Sequence, residues 1–181
     1  MWNTSRHSRH WLKSTPADPV GAGRRLHAET EPCGHTTVLA VRGSIDAYTL
    51  TRWQRLLHST ISATSADGGR YLIVDLTDVE FLSLRAVLTM AECTGYARRR
   101  GVAVSVVDAH PYAMAGRVTE IAGLSRWLPV YPEFVAALAA TKTDAPPLAQ
   151  SISGSHHPGH SQGRTRRRRR PWFTSTPTAR S

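Results

Sequence analysis

The sequence predicts a single α/β domain: a mostly parallel β-sheet with one antiparallel edge strand, covered by about four helices. Three observations predict it. Short apolar runs of strand length alternate with segments whose apolar residues recur at spacings of three and four. Two of the runs, residues 71–76 and 102–107, are almost wholly apolar, as in strands buried on both faces. Strands that alternate with helices need crossover connections, and these make the neighbouring strands parallel.

Taken in order, residues 24–31 read as an extended segment that pairs in a hairpin with 36–42, where Val38-Leu39-Ala40-Val41 follows the turn signal Cys33-Gly34. Residues 49–64 read as a helix, with Leu50, Trp53, Leu57 and Ile61 on one stripe, closed by Gly68-Gly69. The strand 71–76 comes next. A second helix carries Leu84, Val87, Leu88 and Ala91 on its buried face and stops at Gly101, after the exposed triplet Arg98-Arg99-Arg100. After the strand 102–107, Pro111 suits the first turn of a third helix with the stripe Met114, Val118 and Ile121. A short strand at 128–130 and a helix at 132–140 complete the set. The domain is therefore expected at 24–140, between a lead-in at 1–23 and a tail at 141–181, both expected to be disordered.

The formal charge of +10 is unevenly spread. Residues 32–140 carry 10 bases and 9 acids, whereas 141–181 carry 8 bases and 1 acid. A uniformly basic domain of the histone or ribosomal kind is thereby excluded. No run of 18 apolar residues exists to span a membrane, and residues 1–13 lack the apolar region of a signal peptide. Cys33 and Cys93 are 60 positions apart without a CxxC spacing, so neither a disulfide framework nor structural zinc is expected. A cytoplasmic protein fits these features.

Signs of catalysis are missing. Neither GxGxxG nor GxxxxGK[ST] occurs, and there is no GxSxG nucleophile elbow. Asp75, Asp78 and Glu80 follow a strand, where carboxylates are routine. His156, His157 and His160 sit in a polar stretch that reads as linker. No enzyme, cofactor or metal is expected.

The informative stretch runs from Val74 to Leu88: a buried strand, a polar turn, a short apolar approach, then a helix N-terminus. It resembles the STAS domains, named for sulfate transporters and anti-sigma factor antagonists. Three further segments carry the resemblance: Gly43-Ser44-Ile45-Asp46, Asp108-Ala109-His110-Pro111, and Ile121-Ala122-Gly123-Leu124 with Leu128-Pro129-Val130-Tyr131 behind it. Bacterial antagonists of this family usually read D-S-[ST]-G before the second helix. A partner kinase that is also the anti-sigma factor phosphorylates the second hydroxyl residue and so ends the binding.

Here the same positions read Ser83-Leu84-Arg85-Ala86. The acceptor position is Arg85, and arginine takes no phosphate, so the usual switch is expected to be disabled. A cation in the first helical turn opposes the helix dipole, at a cost of about 0.3–1 kcal/mol. Ser83 is the alternative acceptor, although a capping role suits it better. Asp46 matches the family's acidic residue beside the switch; it also reads as a turn residue capping a helix that starts near Ala47.

The resemblance implies a non-enzymatic module that meets an anti-sigma factor or switch kinase through Asp46, Ser83, Leu84, Arg85, Ala86 and Val87. A second expectation comes from the tail. There Arg164, Arg166, Arg167, Arg168, Arg169 and Arg170, with Trp172 and Phe173, suit nucleic acid or another anionic surface.

Overall fold

The computed structural model of the chain describes residues 10–13, 18 and 20–143. The Arg-rich stretch from Arg164 to Arg170 and His156, His157 and His160 lie outside the described residues. The strands are β1 (His10–Trp11), β2 (Leu26–Cys33), β3 (Thr36–Ile45), β4 (Tyr71–Leu82), β5 (Ala103–Val107) and β6 (Val130–Tyr131). They lie side by side in sequence order. The helices are α1 (Ala22–Arg25), α2 (Leu50–Ala66), α3 (Leu84–Arg99), α4 (Met114–Ile121) and α5 (Phe134–Thr143). The β1–β2 and β2–β3 pairs are antiparallel, and the three that follow are parallel. Each parallel step crosses over through a helix, as the alternation in the sequence requires.

The core follows from the strand patterns. In β4, Leu72, Val74 and Leu76 join the main cluster with Trp53, Leu57 and Ile61 of α2 and Val87 and Met90 of α3. Ile73 faces the other way, onto Val107 and Ala137. The first half of β4 is thus buried on both faces, and each Leu- or Ile-sized side chain there contributes about 1.5–3 kcal/mol. Cys93 is inside the same core. Burial and then the neighbouring Glu92 charge push its thiol up to about 11, so it stays protonated and inert at neutral pH.

The structure departs from the sequence reading at three places. First, β4 extends past Leu76 to Leu82, although Thr77-Asp78-Val79-Glu80 is largely polar. Its pairing with β3 continues through two register shifts to Ile45↔Leu82. The second shift lies beside Gly43, at φ +94, where a Cβ would stand 2.2 Å from the Arg25 carbonyl oxygen. Only glycine lets the chain pass there.

Second, Pro111 lies in a loop, and α4 begins at Met114. The cause is Asp108, whose buried carboxylate accepts from the main-chain N–H of Ala115 at 2.9 Å and of His110 at 3.3 Å. It caps the helix from outside, three residues later than expected. The packed face of α4 is accordingly Ala115 and Thr119, with Val118 half-buried, while Met114 and Ile121 are exposed.

Third, part of the lead-in belongs to the sheet. His10 pairs with Thr30 and Trp11 with Glu29, which widens the antiparallel edge from one strand to two. The Arg52 guanidinium donates to the Leu26 carbonyl (3.1 Å), the Leu12 carbonyl (2.9 Å) and the Asp18 carboxylate (2.8 Å). Arg55 reaches the same carboxylate.

Candidate functional site

The carboxyl ends of β3 and β4 finish side by side, where open α/β sheets place their binding sites. Ile45 pairs with Leu82, and the Ser83 N–H donates to the Ile45 carbonyl at 3.0 Å. That pairing brings two of the stretches singled out in the sequence, the one ending at Asp46 and the one beginning at Ser83, onto one surface.

Ser83 has the extended backbone of an N-cap (φ −76, ψ 152), and its Oγ accepts from the Ala86 N–H at 3.2 Å. This satisfies one of the four open donors at the start of α3. Replacing Ser83 with alanine should therefore cost about 1 kcal/mol, read as a lowered urea midpoint with an unchanged m-value; no loss would remove the capping role.

The four residues after Ser83 divide by helical geometry. Leu84 and Arg85 face solvent, and Leu84 is 57% exposed. Ala86 and Val87, expected at a partner contact, are wholly buried in the core instead. At 100° per residue they turn under the sheet-facing side of α3. There the Trp53 indole N–H donates to the Ala86 carbonyl at 3.2 Å and ties the turn to α2. They hold the turn in place, and neither side chain is exposed.

Arg85 does not reach over the turn. Its guanidinium lies along α3 and bonds Glu92 at 2.9 and 3.4 Å, an exposed pair that contributes about 0–1 kcal/mol. Asp46 has a different role from the expected cap near Ala47, because α2 starts only at Leu50. Its Oδ1 accepts from the N–H groups of Tyr48 and Thr49 (both 3.0 Å) and from the Thr49 hydroxyl (3.2 Å). Its Oδ2 pairs with Arg25 at 2.8 Å. Burial pushes this carboxyl up, but the Thr49 bonds, the Arg25 charge and the Tyr48 N–H outweigh it. Together they hold Asp46 below the usual carboxylate range.

Sequence reasoning missed the apolar surroundings. Phe81, the last outward residue but one of β4, is 55% exposed, and Tyr48, Tyr112 and Met114 are exposed as well. Between Phe81 and the 108–114 loop runs a cleft of about 210 Å³ lined by Leu76, Val79, Leu82, Asp108 and Tyr112 among others. Alternation in β4 marks which residues face outward. It says nothing about which outward face stays uncovered.

No cluster of three or more His, Cys, Asp or Glu side chains able to hold a metal occurs among the described residues. No helix among them is long and apolar enough to cross a membrane. The Asp108–His110 contact, 3.1 Å, is absorbed in capping α4.

Residues 27–137 match the family model described as STAS domain. RsfA of Mycobacterium tuberculosis, named an anti-sigma-F factor antagonist, is 36% identical over 116 residues, covering 64% of this chain and 88% of its own. A second protein of that organism is 32% identical over 113 residues, 62% of this chain and 74% of its own. The NMR structure of the protein TM1081 superposes with a TM-score of 0.51 at 13% identity, covering 78% of this chain and 98% of that one. At that identity the likeness concerns the fold alone.

Proposed function

Because the chain belongs to the STAS domain family, we propose that it works as an anti-sigma factor antagonist: a binding module, not an enzyme, that occupies an anti-sigma factor or switch kinase in the cytoplasm and so frees a sigma factor. The name of the relative RsfA supports this reading. One observation carries it to a surface. The 83–86 turn is pinned by the Ser83 cap, the Ile45 carbonyl and the Trp53 indole, yet presents Leu84 and Arg85 outward. A fixed backbone with an exposed apolar side chain loses little entropy on docking. Asp46 shapes the neighbouring turn and keeps its charge.

The regulation differs from that of a phospho-switch. A phosphate adds about −1.5 to −2 charges to a contact surface, and Arg85 offers a permanent positive charge where an acceptor hydroxyl would stand. Partner binding is therefore constitutive with respect to ATP. The test incubates the full chain with its co-purified partner and ATP, then maps residues 83–86 by mass spectrometry and compares binding with and without ATP. The expected result is no phosphate and equal binding. Stoichiometric phosphate on Ser83, with release of the partner, overturns the constitutive reading.

A further inference from the structure

The far end of α3 carries a cationic surface that the antagonist reading does not use. Arg98, Arg99 and Arg100 close the helix, and all three are exposed. The Arg98 guanidinium lies 4.4 Å from the centre of the Trp127 ring, and Arg126, from the segment after α4, approaches the same ring at 5.6 Å. Arg100 lies 4.6 Å over Tyr96, which also meets the His58 ring at 4.4 Å and the Ser62 hydroxyl at 2.8 Å. The band therefore draws on α2, α3 and the connection into β6.

Arg25, Arg42, Arg52, Arg55 and Arg85 each have a carboxylate within salt-bridge distance. Among the described residues, Arg98, Arg99, Arg100 and Arg126 have none, as is also true of Arg24, Arg70 and Arg117; Arg98 and Arg126 differ from those three in sharing one aromatic ring. The helix dipole favours a cation or two in the last turn of α3. It does not account for Arg126, which lies on no helix and converges with Arg98 to within about 10 Å. Two like charges on one indole repel, and a bound anion relieves that repulsion.

The aromatic faces fix the planar guanidinium groups while leaving their N–H edges free to bond, a geometry suited to two-point contact with phosphate. Arginines interleaved with Trp and Tyr over several elements suit a chain of phosphates better than one small anion.

We propose that the Arg98–Trp127–Arg126 surface, with Arg99 and Arg100, binds the phosphate backbone of nucleic acid independently of sequence. The surface lies the length of α3, about 24 Å for its 16 residues, from Leu84, so it is separate from the turn assigned to the protein partner.

The test measures fluorescence anisotropy of a 20-base-pair duplex with the full chain across a salt series. It compares the parent, Arg126→Gln, the triple variant Arg98→Gln/Arg99→Gln/Arg126→Gln, and a variant with Arg166 to Arg170 changed to Gln. Each lost phosphate contact makes the slope of log K against log salt shallower by about 1. The single variant should show a change of about 1, and the triple a change of about 3 with an affinity loss of about tenfold or more. The tail variant should lower affinity separately. Because the changed side chains are exposed, the denaturation midpoint should not move. Parent-like affinity and slope in the triple variant overturn the proposal, as does the absence of duplex binding in the parent. Loss of binding to phosphatidylglycerol vesicles without loss of duplex binding also overturns it, in favour of a membrane surface. Anti-sigma partner binding should be equal in all four proteins, so this inference and the antagonist reading fail independently.

Discussion

Replacing Arg52 with alanine is expected to destabilise the domain by about 3–5 kcal/mol, a large fraction of the roughly 5–15 kcal/mol that holds an ordinary domain folded. Arg52 and Asp18 are each only 3% exposed in their side chains. Three of the guanidinium's donors are committed: one to Asp18, one to the Leu12 carbonyl and one to the Leu26 carbonyl. Burial holds the Arg52 pKa below its ordinary value, and as an arginine the group stays charged. Truncation takes one arginine from a buried carboxylate and strips the Leu26 and Leu12 carbonyls of a donor. It also removes the side chain that joins Leu12 and Asp18 to the Leu26 carbonyl of β2. Equilibrium urea unfolding of the Arg52→Ala and Asp18→Asn variants checks this, and the double variant should cost less than the sum of the singles. A loss below about 1 kcal/mol for Arg52→Ala would mean that the clamp holds nothing.

That clamp also shows what the sequence could not reveal. Arg52 sits on the expected α2 and reads as one of many basic residues, and its partner Asp18 is 34 positions earlier in a segment without period. Helix and strand signals are local, so the alternation of β3, α2, β4, α3 and β5 is legible from spacing alone. An ion pair between distant segments leaves no local trace. The same limit explains α4. Pro111 is a sound N-terminal signal, but Asp108 lies upstream of it and captures the Ala115 N–H, a choice made by tertiary geometry.

The candidate site divides along the same line. The Ser83 cap is local chemistry, and the sequence predicts it from one residue type at a helix start. Its proximity to Asp46 depends on the β3–β4 register, which Gly43 and two shifts set. The inward turn of Ala86 and Val87 was legible in principle, since the expected stripe already placed Val87 on the buried face with Leu84. The structure separates that pair: α3 starts with Leu84 on its outer edge, where the turn is open, and the first full helical turn is covered only from Ala86 onward. The exposure of Leu84 follows from that, and it is the property on which the proposed partner binding rests.

Leu84→Asp is expected to weaken binding of the anti-sigma partner by about a hundredfold or more while leaving the fold intact. Leu84 and Phe81 are each more than half exposed and carry the apolar surface beside the pinned turn. A buried apolar anchor at an interface contributes about 2 kcal/mol or more, and a carboxylate in its place also has to be desolvated. Stability should change by no more than about 0.5 kcal/mol, because the side chain is at the surface. An acid in the first turn of α3 is also favoured by the helix dipole. Arg85→Ala is the contrasting variant. Its bond to Glu92 is exposed and runs along the helix, away from the turn, so removing it should change affinity by less than about fivefold, the level of a rim charge. Titration calorimetry of both variants against the purified partner, with circular dichroism to confirm the fold, separates an apolar anchor from a charge-led contact. Parent-like affinity for Leu84→Asp would move the interface elsewhere. A larger loss for Arg85→Ala than for Leu84→Asp would mean that the Arg85 charge is itself what the partner reads.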